Sequence, residues 1–408
     1  MTAAVLGRRK PLYYYGWTIV GACILSQLAS LGVTVNCFSL FLGDWTREFH
    51  TPISSLAFGV TLFSLCCSLF TIPSGLAADR FPARQVIGLG LAGVALAHLL
   101  IGFAQSGWQI IAIYVVVLPV AICFSAAIPC QAVVSRWFVR RRGTAMGLCA
   151  FGLAMAGVVF PPIITLLVPA VGWRATWWLF GGLIALVLVP VVYFLLRDAP
   201  TAEEGAAYLG PETAERQADI TIREVFARRN FWAIVGVFLP VQCVSMVAGV
   251  NMAPLVQQRG LSLQTAGLLL SAYSVAALVG KFASGVLADR LGSRVPFALV
   301  AVLAAGGVAL LGLSQHAPLF FAAAVMIGLS QGHWTLLATA TASEFGPQAF
   351  GRAYGVISAL TPIGSLAPPV VAYVFEHGGG YAATLAGLAF LSLGGGVVAM
   401  TGFRRVAS

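Results

Sequence analysis

Apolar runs of about twenty residues, separated by short polar breaks, recur from one end of the chain to the other. Twelve can be delimited, at about 15–42, 55–77, 86–105, 108–135, 143–167, 173–196, 230–257, 265–288, 294–313, 317–341, 350–374 and 380–403. A helix of about 20 residues rises ~30 Å, the thickness of a bilayer's hydrocarbon core. Each run is therefore predicted to be a membrane-crossing helix, and the fold class to be an all-α polytopic membrane protein with twelve transmembrane helices. Glycine and proline inside the runs agree with this, because membrane helices tolerate both. Composition points the same way: 59% of the 408 residues are hydrophobic and 9% are charged, where a soluble domain carries roughly 25% charge. The first run follows Arg8, Arg9 and Lys10, is longer than a signal-peptide core, and lacks a small-residue cleavage site. It is read as an uncleaved first span with a cytoplasmic N-terminus.

A net charge of +10 would suit nucleic acid, but the distribution of the charge excludes that reading. Of 23 Lys and Arg, 19 fall in the termini and in every second loop, three (Arg47, Arg174, Arg259) lie in the alternate loops, and Lys281 lies inside a span. This is the positive-inside pattern of a multi-pass plasma-membrane protein, a bacterial inner membrane being expected, with both termini cytoplasmic. The basic residues face anionic lipid, and no nucleic-acid partner is expected. All eight cysteines fall within spans without metal-ligand spacing, so they are read as small buried hydrophobes and no metal site is expected.

The decapeptides "GLAADRFPAR" (75–84) and "GVLADRLGSR" (285–294) share Gly, Ala, Asp, Arg and a final Arg at a constant offset of 210. Each follows the second span of its half, and the most hydrophilic stretch, 197–229, lies between the halves. This predicts an N-terminal six-helix bundle (1–196), a cytoplasmic linker (197–229) and a C-terminal six-helix bundle (230–408), an arrangement typical of transporters. The end of the linker, "ITIREVFARRNFW", places Ile222, Val225 and Phe226 on one face, as either a short surface helix or a plain connector. The repeated decapeptide resembles the G-x-L-A-D-R-x-G-R-R signature of the major facilitator superfamily. The second copy keeps the loop glycine, Gly292, whereas the first has Pro82, so the two loops should turn differently. The resemblance implies two pseudo-symmetric bundles that rock about a midplane site. It also implies a gate on the cytoplasmic side formed by Asp79, Arg80, Asp289 and Arg290, with Arg136 as a partner for Asp79; helix capping and topology are the alternative roles. The chain contains no G-x-x-x-x-G-K-[ST] loop, so transport would be secondary or facilitative and no cofactor is expected.

Function in such a chain must sit on polar groups inside the bilayer, where they are costly. Every carboxylate maps to a loop or a span end. Lys281, in "AALVGKFASGVLADR", is the exception among charges. It lies about seven residues, or ~11 Å, from the end of its span. Its side chain should lean toward the helix N-terminus, away from the nearer interface. Gly267, Ser271, Ser274, Lys281 and Gly285 share a face, and the matching face of span 2 carries Thr61, Ser64, Thr71 and Gly75. The stripe suits a water-filled cavity, and the pseudo-symmetry breaks at the one charge. His333, Asn36, Asn251, Tyr273 and Ser274 are further substrate-site candidates, with Gln27, Gln131, Gln331 and Trp334 as cavity groups. For each of these, packing is the alternative role, as it is for His98.

Several segments resemble the monocarboxylate porters and their bacterial oxalate/formate-type relatives: "YYYGWTIVGAC", "IPCQAVVSRWFVRRRGTAMGLCAFG", "GW" at 172–173 and "FGRAYGVISALTPIGSLAPPV". In that group a cation in span 8, usually arginine, pairs with the substrate carboxylate, and Lys281 falls on that position. Lysine replaces the bidentate fork of arginine with a point charge. No acidic residue precedes Lys281 in its span, and no second cation lies in the interior of span 11. One midplane cation balances one carboxylate, so a small monocarboxylate is the expected organic-anion substrate, crossing together with a proton and leaving a neutral lysine on the empty return. A drug or metabolite exporter and a transport-dead membrane sensor are the competing readings. An enzyme is not expected, because no catalytic constellation converges in the spans. A monomer is expected.

Overall fold

The computed structural model describes residues 14–139, 141–201, 221–259, 263–314, 316–374 and 380–402, and no strand occurs among them. Among the described residues, ten helices are long and apolar enough to cross a membrane. Two of them reverse at a glycine and so make two crossings each, which brings the total to the twelve expected. Span 1 covers Gly16–Asn36 and continues beyond Cys37 as Phe38–Phe49. Span 2 is Ile53–Arg80, span 3 Ala83–Gly102 and span 4 Gly107–Trp137. Spans 5 and 6 are the two arms, 142–171 and 173–195, of one helical stretch broken at Gly172. Spans 7, 8 and 9 are Arg229–Gln258, Leu263–Leu291 and Arg294–Leu313. Spans 10 and 11, 317–345 and 347–374, meet at Gly346, and span 12 is Gly380–Gly402.

The reversals follow from backbone geometry. Gly172 and Gly346 have φ of 82° and 75°, a region that a side-chain-bearing residue enters only at a cost. The contacts on either side locate the first hairpin. Arg142 donates to the Ser135 carbonyl and Trp137 Nε1 to the Arg197 carbonyl, so the outer ends of both arms lie at the end of span 4. At the opposite end of the molecule, Trp173 Nε1 donates to Glu48 (2.7 Å) and Arg174 reaches Glu48 and the Ala104 carbonyl at the ends of spans 1 and 3. The decapeptide loops differ as expected: Gly292 has φ 71°, while Phe81 and Pro82 are extended.

Span 1 is not a continuous α-helix. Gly32–Asn36 is a π-helical turn, and the Tyr114 hydroxyl, from a second such turn at Ile113–Val117 in span 4, donates to the Thr34 carbonyl at 2.9 Å. The segment beyond the turn is held by Phe41 and Trp45, both fully buried and packed on Trp177 of span 6. Large apolar side chains such as Leu89, Leu166, Leu186 and Phe390 are about three-quarters exposed, which suits a surface solvated by lipid. The end of the linker is helical: Ile222–Ala227 starts at a Thr221/Glu224 capping box. It is anchored beside span 10, where Arg228 and Asn230 bind Glu344.

The Gly172 turn yields a test. A Cβ at Gly172 or Gly182 would meet no atom within 4 Å, so backbone conformation alone separates the two positions. Gly172→Ala should destabilise the protein by about 1–3 kcal/mol, whereas Gly182→Ala, inside a helix, should be neutral or stabilising by up to about 1 kcal/mol. Thermal unfolding in detergent compares them.

Candidate functional site

The site is built on a seam between the first six and the last six spans. At one end of the molecule, the end rich in arginine, Asp79 finishes span 2 and Asp289 finishes span 8. Asp79 accepts from the Gly351 and Arg352 amides (2.9 Å each) and from Arg352 Nε (3.1 Å), all early in span 11. Asp289 accepts from the Gly143 amide (2.6 Å), the Thr144 amide (2.8 Å) and the Thr144 hydroxyl (2.6 Å), at the start of span 5. Each half thus supplies one carboxylate and one set of amide donors. Behind each aspartate the backbones touch. A Cβ on Gly75 would lie 2.0 Å from the Gly351 carbonyl oxygen, and one on Gly285 would lie 2.2 Å from that of Gly143. One turn further in, Gly355 faces the Thr71 carbonyl and Gly147 faces the Lys281 carbonyl, with added Cβ atoms at 2.6 and 2.9 Å.

Lys281 therefore sits on the seam, one turn further in than the contact of Gly285 with Gly143. It is 8% exposed, and among the described residues its ammonium makes no hydrogen bond or ion pair with another group. Gly280 packs on the Leu329 carbonyl and Ser284 on Gly332, which wedges this part of span 8 against the turn that interrupts span 10. That turn brings polar groups together. Gln331 donates to the Tyr273 hydroxyl, and His333 lies 2.9 Å from Gln242 of span 7. Farther from the seam, Ser271 and Ser274 on span 8 and Thr61 and Ser64 on span 2 are exposed, along the stripes expected from sequence. The chemistry on offer is one unneutralised cation bordered by neutral hydrogen-bonding groups, which suits a single anionic group.

The profile of the Major Facilitator Superfamily matches residues 22–263 and 240–407. The chain belongs to that superfamily. It is a transporter, not an enzyme. Its relatives include an uncharacterized MFS-type transporter, YhjX, of Escherichia coli (strain K12), 27% identical over 373 residues and covering 86% of each chain. Monocarboxylate transporter 12 of Mus musculus is 25% identical over 402 residues, covering 90% of this chain and 81% of the relative. Among solved structures, the fold matches FucP in the outward conformation (TM-score 0.72, 14% identity, 96% of this chain and 100% of that one). It also matches the human organic anion transporter MFSD10 (TETRAN), with TM-score 0.69 and 16% identity over 95% and 100% of the two chains.

The other sequence candidates of this MFS transporter divide by position. Tyr273 and His333 join the Lys281 neighbourhood. Ser274 Oγ returns to its own helix at the Leu270 carbonyl (2.8 Å). Asn36 closes the π turn of span 1 by donating to the Leu31 carbonyl, with its oxygen beside Gly157 of span 5. The Asn251 side chain lies outside the described residues. Gln27 and Gln131 donate to carbonyls of span 5, and His98 is buried against Trp177, away from the seam. Arg80 and Arg290 are exposed. Arg136 is not the partner of Asp79: its guanidinium donates to the Ala78 carbonyl, and Arg352 takes the carboxylate. Sequence reasoning also missed Arg142, which ties the carbonyls of Ser135 and Phe138 to that of Ala342 across the seam. A signal for the amide donors was present: Gly-Thr-Ala-Met-Gly at 143–147 and Gly-Arg-Ala-Tyr-Gly at 351–355 repeat at an offset of 208.

Asp289→Asn keeps the shape but loses the charge that three donors address, a loss of about 1–3 kcal/mol. Spin labels at positions 141 and 290, in a cysteine-free background, should show a larger population of long distances in the variant by double electron–electron resonance. An unchanged distribution would mean that the carboxylate does not hold the seam.

Proposed function

We propose that this protein is a secondary active transporter of a small monocarboxylate, proton-linked, with Lys281 as the carboxylate anchor. The observation that carries this reading is the unneutralised Lys281 ammonium on the seam, in a neighbourhood that offers no carboxylate among the described residues. A buried cation is costly without a counter-charge, and a carboxylate ligand supplies one. The likeness to a monocarboxylate transporter and to an organic anion transporter, by their names, supports an anionic cargo. On this reading the arginine-rich end is cytoplasmic, both termini are cytoplasmic and the membrane is the plasma membrane. The seam closes the cytoplasmic side, leaving the site open to the outside. The bundles 1–196 and 230–408, joined by 197–229, rock about Lys281. Asp79 and Asp289 act as the gate, with Arg80, Arg136 and Arg290 lining it. Lys281 loads with its anion and a proton together and returns neutral when empty.

The test is uptake of a panel of labelled acids into proteoliposomes, with and without a pH gradient. Lys281→Ala should abolish carboxylate uptake while the protein still inserts and folds, and Lys281→Arg should retain binding with an altered pH dependence. Undiminished uptake by Lys281→Ala would remove the anchor.

A further inference from the structure

The corner where the linker enters span 7 carries a pattern that the site around Lys281 does not use. Ile222–Ala227 and span 7, which starts at Arg229, are separated by one extended residue, Arg228 (φ −76°, ψ 128°). Trp232 Nε1 donates to the Phe226 carbonyl across the corner at 2.9 Å, and the Phe226 and Trp232 rings lie 6.3 Å apart. Beneath them Val225 and Phe231 are fully buried, with Phe231 in edge contact with both rings, at 5.0 and 5.2 Å. Arg228 and Asn230 hold the corner on Glu344 at the end of span 10. The shape of this elbow is thus fixed by contacts on its inner side.

The outer side is open. Phe226 is 41% exposed and Trp232 57%. An indole at a membrane surface keeps its N–H for the wet side, but here that N–H is spent inside the elbow, so both rings present carbon. Such a surface suits the boundary between headgroups and acyl chains, the level at which the first turn of span 7 leaves the bilayer. Each ring has an arginine three residues before it, Arg223 before Phe226 and Arg229 before Trp232. Residues three apart share a helix face, and helical side chains lean toward the N-terminus, which at span 7 is the headgroup side. Arg223 and Arg229 are both exposed. Arg229 spends one N–H on the Thr401 carbonyl at 3.5 Å, which leaves other donors of its guanidinium free. Of the carboxylates on the elbow and its support, Glu344 is matched by Arg228 and Asn230, and Glu224 closes the capping box on the Thr221 amide. Neither forms an ion pair with Arg223 or Arg229 among the described residues.

We propose that the elbow of the linker and span 7 is a binding site for an anionic phospholipid of the leaflet at the arginine-rich end. Arg223 and Arg229 take the headgroup phosphate, and the exposed faces of Phe226 and Trp232 take the glycerol and the upper part of the acyl chains. Two features select this occupant. A soluble phosphate meets the arginines but leaves the rings uncovered, and a zwitterionic lipid covers the rings while bringing a cation to two guanidinium groups. The elbow rests on the same end of span 10 whose Ala342 carbonyl receives Arg142 from the first half, so the bound lipid borders the surface where the halves meet. Nothing in the site depends on what Lys281 binds.

Native mass spectrometry of the full-length protein, released from detergent, counts bound lipids. Titrated with phosphatidylglycerol and with phosphatidylcholine of the same chains, the unaltered protein should bind phosphatidylglycerol preferentially. Arg223→Gln combined with Arg229→Gln should weaken one phosphatidylglycerol site by roughly 10- to 30-fold and leave phosphatidylcholine binding unchanged. Glycerophosphoglycerol, the same headgroup without chains, should show no saturable binding. A second measurement does not rely on the folding of that double variant. A spin label at position 226, in a cysteine-free background in phosphatidylglycerol nanodiscs, should be more accessible to oxygen than to a water-soluble nickel chelate. The proposal is overturned if the two lipids bind alike, if the double variant keeps its phosphatidylglycerol binding undiminished, if the headgroup alone binds as tightly as the lipid, or if the nickel chelate reaches position 226 more readily than oxygen does.

Discussion

A carboxylate taken out of water must be met by several donors at once, and the arrangement of this transporter follows from how two aspartates satisfy that demand. The Asp79 side chain is 1% exposed, yet its own half provides none of the donors recorded for it; these come from span 11. Asp289 is matched in the same way by span 5. Separating the halves would leave both charges and several amides unpaired unless water entered with the movement. The seam is therefore open or closed as a unit, since its polar groups exchange protein partners for solvent together.

Backbone donors account for both the success and the limits of sequence reading here. The spans were legible because every crossing must be apolar, and the paired aspartates were legible because they sit in a repeated decapeptide. Their partners were not, because an amide N–H has no side-chain signature. An arginine at a span end, Arg136, looked like the natural counter-charge for Asp79. In the fold its guanidinium reaches a neighbouring carbonyl instead, and the carboxylate is already filled from span 11. Lys281 stood out because one charge interrupts an apolar run. Gln242 did not, because a single amide in a span acquires meaning only once a ring nitrogen is found 2.9 Å from it.

The two halves are alike in mechanics and unlike in chemistry. Thr71 and Lys281, 210 residues apart, both present a carbonyl to a glycine of the opposite half, one turn in from the glycine contacts behind the aspartates. One side chain is a hydroxyl that bonds back to its own helix at the Ser68 carbonyl, and the other is an ammonium. The shared backbone geometry makes the closing surface symmetric, while the single substitution places the charge to one side of the pseudo-symmetry axis. The polar groups that gather near that charge come from spans 7, 8 and 10, all in the second half.

The contact of Gly147 with the Lys281 carbonyl has a consequence of its own. The residue whose side chain is read as the anchor for cargo is also, through its backbone, part of the closing surface. On that reading, no relay of intervening residues is required between occupancy and gating. Whatever shifts the ammonium pulls on the helix at the point where it touches the other half, and parting that contact frees the helix that carries the ammonium. On the reading of Lys281 as anchor and of the seam as gate, sensor and bolt would be one piece, and the thermodynamic linkage between them would need no chain of intermediates.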